Sequence, residues 1–155
     1  MSVPAFTSLS EVVSHLNASG PDGSGNYSVY GLTISAAASQ AQVDHANKYV
    51  FSIAPSLTGP GSSDPREVNA ELAALDIACI GVLVTVVGGS LVGAYDYSLG
   101  DMHVARAGPY AYAIKTAIDA YRQSVIANLG NVSTVSLAAN STRRIPHYSG
   151  PELYP

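Results

Sequence analysis

The sequence predicts a mainly α fold: a small helical bundle around one long buried helix, with one β-hairpin and an extended C-terminal tail. Three observations carry this expectation. Asp64-Pro65-Arg66-Glu67 has the composition of a helix start, and Val68, Leu72, Leu75, Cys79, Val82 and Val86 then follow in alternating steps of four and three. Three other stretches, starting near Ser8, Thr33 and Gly108, also keep apolar residues at helical spacing. Between Tyr95 and Val104, by contrast, aromatic or apolar residues alternate with polar ones across Leu99-Gly100, which is the period of a strand pair.

Taken in chain order, Ser8-Leu9-Ser10-Glu11 has the spacing of a capping box, in which hydroxyl and carboxylate satisfy each other's free backbone N–H groups. Leu9, Val12, Val13 and Leu16 make one apolar face, so a short helix is expected to end near Asn17. From Asn17 to Gly31 four glycines and Pro21 predict a loop with no regular element. A second helix is expected from Thr33 or Ser35 to Leu57, with Val43, Ala46, Val50, Ile53 and Leu57 inward and Gln40, Asp44, Asn47 and Lys48 outward. Pro55 should end it or kink its last turn.

In the long helix Asp64 suits the N-cap, Pro65 lacks a donor that would be unpaired there, and Glu67 at the third position completes a box. Ile77, Ile80, Val84 and Val87 fill its opposite side, so the second half is apolar all round and is expected to be buried until Gly88-Gly89 stops it. Gly108-Pro109 opens a last helix with Tyr110, Ile114, Ala117, Tyr121, Val125 and Leu129 on one face, closed by Gly130. Residues 1–130 are thus expected to form a helical domain with a hairpin near 94–106, and residues 131–155, with Pro146, Pro151 and Pro155, an extended arm.

Composition narrows the function. The 155-residue chain has 12% charged residues, about half the usual share, a formal charge of −4, and 27 Ser and Thr with 10 Tyr. Duplex binding needs clustered basic residues, and only Arg143-Arg144 are adjacent. A lone Cys79 excludes an internal disulfide framework and a cysteine-based zinc site. The N-terminus has neither the basic nor the apolar region of a secretory signal, so an intracellular protein is expected and the N-x-S/T sites at Asn17, Asn26, Asn131 and Asn140 carry little weight. The uncharged run Ile77–Tyr95 reaches membrane-spanning length, but Gly88-Gly89 interrupts it and no Lys or Arg flanks it closely; a buried bundle helix is expected.

Candidate chemistry is sparse. Asp22, Ser24, Asn26 and Ser28 alternate like the start of a calcium loop, yet the loop has one carboxylate and Thr33 where a bidentate Glu is needed. His15, His45, His103 and His147 fall in four separate elements without metal-ligand spacing. Asp76, among Leu75, Ile77 and Ala78, is expected to point out through the polar stripe with Glu71, the alternative being contact with a partner. No nucleophile and base, carboxylate pair or cofactor fingerprint appears, so the expectation is a non-enzyme with no catalytic residue, cofactor or metal.

The layout also resembles a family. Gly31-Leu32-Thr33-Ile34-Ser35 leading to Asp44–Val50, the stretch Glu71–Ala78, and Tyr97–Val104 resemble the head-to-tail connector, or adaptor, proteins of tailed bacteriophages and tailed archaeal viruses, over about residues 8–130. The resemblance implies a structural virion protein of the neck, assembled in the host cytoplasm. It would form a homo-oligomeric ring, commonly of twelve copies, between the portal protein and a stopper or tail-completion protein. DNA would pass through the lumen without being gripped, and no membrane would be involved. Scarce charge suits extensive subunit contacts, since few ions need desolvation. Arg143, Arg144, Tyr148 and Tyr154 on the arm, and Tyr95 and Tyr97 on the hairpin, are the expected partner-binding residues. The alternatives are a helical partner-binding protein of another kind and a small membrane-associated protein using residues 77–95.

Overall fold

Ser8 begins the first helix as its capping box predicts. The Glu11 carboxylate accepts the Ser8 N–H at 2.7 Å and the Ser8 hydroxyl at 2.8 Å, while Ser8 Oγ accepts the Glu11 N–H at 3.4 Å. The resulting helix α1 spans Leu9–His15 and buries Val12, with Leu16 just beyond it also inside. The computed structural model describes the backbone of residues 2–91, 97–99, 102–104 and 111–141, and the side chains of residues 2–87 and 112–132. The chain is mainly helical, with antiparallel hairpins between the helices.

One hairpin corrects the sequence expectation. Part of the stretch read as an irregular loop pairs, β1 (Asn26–Val29) with β2 (Leu32–Ser35), in the register Tyr27↔Ile34 and Val29↔Leu32. The turn is Tyr30-Gly31, with φ of 51° and 75°, the left-handed pair that matches the twist of a two-residue hairpin. Three of the four glycines that argued against structure lie in the preceding loop and the fourth, Gly31, makes the turn, whereas Val29 and Ile34 reach the core. Thr33 is consequently a strand residue, and the next helix starts at the other predicted site.

Helix α2 (Ala36–Ile53) is capped by Ser35, whose hydroxyl accepts the Ala38 N–H at 3.1 Å. It ends before Pro55, and Leu57 is buried beyond it rather than in it. Val43, Ala46 and Val50 form the inward face as expected, but Ile53, in the last turn, is 40% exposed, and Asn47, placed on the outer face by its polarity, is buried. Its amide clamps Thr7 from both sides, Oδ1 accepting the Thr7 N–H and Nδ2 donating to the Thr7 carbonyl, each at 3.0 Å.

Helix α3 (Pro65–Leu91) forms the centre of the bundle. Its start departs from a capping box. Asp64 Oδ1 accepts the Arg66 N–H at 2.9 Å and the two side chains pair at 2.6 Å, but Glu67 turns inward to accept the Gly59 N–H. The predicted seam is only half right. Cys79, Val82 and Val86 are buried, whereas Val68 and Leu72 are 60% and 46% exposed. In that first half the packing face is Ala70, Ala73 and Ala74, whose small side chains admit close neighbours. Val84 is exposed as well, so the second half is not buried all round. Helix α3 also passes through Gly88-Gly89 instead of stopping there. A helical glycine costs only about 1 kcal/mol, which tertiary packing of the preceding turns can outweigh.

The second hairpin joins β3 (Tyr97–Leu99) to β4 (Met102–Val104), pairing Tyr97 with Val104 as the alternation predicts. Helix α4 (Ala111–Ser141) then runs antiparallel to α3. Near its start Ile114 packs in one cluster with Val82, Leu83 and Val86, and further along Val132 joins Ala70, Ala73 and Ala74 in another. Gly130 does not close it: a side chain there would meet nothing within 4 Å, so the residue is an exposed interior position. Residues 131–141, expected to be extended, are therefore helical, because Val132 continues the inward face set by Ile114, Tyr121 and Leu129.

Candidate functional site

Between the N-terminal segment, α1 and the first half of α3 runs a groove of about 390 Å³. Phe6, Val68, Leu72 and Leu75 supply its apolar lining, and Glu11 and Glu71 its charge. The groove exists because the apolar row of α3 continues past the point where α1 covers it. Cys79 and Val82 lie on the covered part of this row, Val68 and Leu72 on the open part. Glu11 is held by its cap and by the Thr7 hydroxyl at 3.3 Å. A shallower depression continues from Leu75 and Glu11 past Ser10 and Ser14 to His15.

Beneath that depression a polar cluster joins three helices. Asp76 is 6% exposed, contrary to the expected outward orientation. Its carboxylate receives the Ser124 hydroxyl of α4 and stands 4.0 Å from Nε2 of His15 on α1. Asn128 Nδ2 donates to Ser124 Oγ at 3.2 Å, extending the chain of bonds along α4. Burial raises the Asp76 pKa, while the Ser124 hydroxyl and His15 pull it back. The His15 ring lies 5.6 Å from that of Tyr121, tilted at 44°. Burial, with Cys79, Tyr30 and Asp76 nearby, pushes the Tyr121 phenol up to about 12. Ser124 serves Asp76 rather than His15, so the cluster lacks the nucleophile-to-base contact of a hydrolytic triad. It fastens α1 and α4 to α3.

The other sequence candidates divide plainly. Burial pushes the Cys79 thiol up to about 12, which leaves it an unreactive packing group. In the glycine-rich loop, Asp22 Oδ1 accepts the Ser24 and Asn26 N–H groups at 2.8 and 2.9 Å. These bonds hold the Asp22 carboxyl below its ordinary value and close the loop on itself. No group of three or more His, Cys, Asp or Glu that could hold a metal occurs among the described residues. Of the expected partner-binding residues, Tyr97 sits in β3 opposite Val104. Tyr95, Arg143, Arg144, Tyr148 and Tyr154 lie outside the described residues.

Sequence reasoning missed the groove because Val68 and Leu72 share one helical row with Cys79 and Val82, and periodicity cannot tell which part of a row a neighbour covers. It missed the inward turn of Asp76 although a sign was present: a carboxylate flanked by Leu75, Ile77 and Ala78. A search of protein-family models, of curated proteins and of solved structures found nothing that matches this chain.

Proposed function

We propose that this protein is a structural subunit of the head-to-tail adaptor kind, forming a homo-oligomeric ring between portal and tail through which DNA passes. The observation that carries this reading is the pair of unlike exposed faces on a weakly charged chain. One is the apolar groove with Val68 and Leu72; the other is the outer face of α4, where Tyr112 and Ile126 stand 83% and 67% exposed among the polar Thr116, Asp119 and Gln123. Tyr112 and Ile126 lie about four turns apart on one side of α4, opposite the inward face of Ile114 and Val132. Two different patches on one subunit are what a head-to-tail contact needs, and such contacts close into rings when the rotation permits. With only 12% charged residues, burying these faces desolvates few ions. The mainly helical layout with hairpins agrees with the resemblance to adaptors.

Mass photometry and negative-stain microscopy of the purified full chain, alone and with a portal protein, test this. Rings, formed alone or on the portal, are the expected result; a monomer that never assembles and never binds a portal would overturn it.

A membrane-associated reading has one observation in its favour. Pro65–Val87 is long and apolar enough to cross a bilayer, with mean hydropathy 2.2. Half of that window is buried inside the bundle, and Glu67 and Asp76 point into it, as in the core helix of a globular domain. Solubility that depends on detergent would decide for the membrane.

A further inference from the structure

We propose that the groove between α1 and α3 receives the C-terminal segment Arg143–Tyr148 of a second copy of this chain, with an arginine on Glu71 and Ile145-Pro146 against Val68 and Leu72. This rests on the ring reading and adds the contact that would link neighbours.

The groove states its own requirement. Its exposed apolar wall, Val68 and Leu72, flanks a carboxylate, Glu71, that makes no hydrogen bond or ion pair among the described residues. Glu11, at the other side, is held in place by Ser8 and Thr7, whose three bonds all fall on Oε2. Buried nearby, Glu67 adds a further acidic group at the start of α3. An apolar trough with an unpaired carboxylate selects a segment that is basic and apolar at once. The chain has 7 Lys and Arg, and Arg143-Arg144 is its one adjacent pair, followed directly by Ile145-Pro146-His147-Tyr148. Of the other five, Arg66 is committed to Asp64, Lys48, Lys115 and Arg122 stand singly on helices, and Arg106 stands singly in the sequence. Guanidinium over carboxylate with apolar flanks is also the composition of strong interface anchors.

The geometry of α4 points to a neighbour's segment over the chain's own. Val132 packs with Ala70, Ala73 and Ala74, the layer of α3 that contains Glu71. From Val132 the helix continues nine residues to Ser141, about 13 Å further along the bundle at 1.5 Å per residue. Arg143 follows two residues later, a span of at most about 7 Å. Helix α4 therefore ends well beyond the layer that holds Glu71, and the segment assigned to the groove is a neighbour's.

The test uses a fluorescent peptide of residues 142–155 titrated into the full chain. Saturable binding is expected, weakened at least tenfold by Glu71→Arg and restored when the peptide carries Arg143→Glu and Arg144→Glu. Circular dichroism of the Glu71→Arg chain controls for folding. Absence of binding, or binding indifferent to Glu71→Arg, overturns the inference, while the ring reading is judged separately by mass photometry. The donor is settled by co-expressing two tagged chains, one with Leu72→Cys and one with Ile145→Cys. A disulfide joining the two tags is expected; a bond that closes only within a chain carrying both changes overturns the assignment to a second copy.

Discussion

Glu67 shows how a single side chain can meet a local rule and then be used otherwise. Its position suits a capping box, but it is 2% exposed, one oxygen accepts the Gly59 N–H, and Oε2 has no hydrogen-bond partner. Burial raises its pKa, offset in part by the Gly59 bond, with Asp64 and Glu71 raising it further. A carboxyl whose folded pKa is raised favours folding below the ordinary glutamate value, and that contribution is lost as pH rises through the raised value. Glu67→Gln keeps an acceptor for Gly59 and removes the charge, so thermal denaturation should show a higher Tm at pH 7 and a gain that shrinks towards pH 4. A variant equally stabilised at both pH values would contradict this account. Asn47 makes the opposite case, since its amide satisfies both backbone groups of Thr7. Asn47→Ala leaves those buried groups unpaired and should cost about 2–4 kcal/mol in chemical denaturation.

Among the elements, the helices were legible where their signals are local. The capping box of Ser8 and Glu11, the Ser35 cap and the stop before Pro55 depend on residues within one turn of each other, and each appears where its chemistry puts it. Glycine was read too strongly. Gly88-Gly89 and Gly130 lie inside α3 and α4, because a helix continues through glycine when the packing of neighbouring turns outweighs its cost. Gly130→Ala should therefore stabilise the protein by about 0.5–1 kcal/mol in urea denaturation. A left-handed cap at that position would make the same change destabilising. The first hairpin was missed for the converse reason: its turn, Tyr30-Gly31, was counted with the loop glycines before it.

For the whole molecule, the two unlike exposed faces predict how assembly fails. Val68→Asp disables the groove face and Ile126→Asp the outer face of α4, and both residues are exposed, so each variant should keep its Tm within about 2 °C. Each alone should stop ring growth, whereas an equimolar mixture keeps one intact interface and should give heterodimers by mass photometry. Heterodimers from neither mixture nor wild type would remove the head-to-tail arrangement. Truncation after Ser141 should leave the helical domain folded and abolish assembly. Cutting at Asn131 is a different experiment, because it removes the buried Val132.

The sequence by itself determined the mainly helical class, the long central helix, the second hairpin, the capped starts and the scarcity of charge. All of these follow from short-range periodicity, capping chemistry or composition. Tertiary structure alone decided which part of each apolar row is covered. Val68 and Leu72 differ from Cys79 and Val82 only in having no helix laid over them, and Asp76 is inside because α1 and α4 close over it with His15 and Ser124. Burial is a property of the neighbours, and neighbours distant in sequence leave no mark on local spacing.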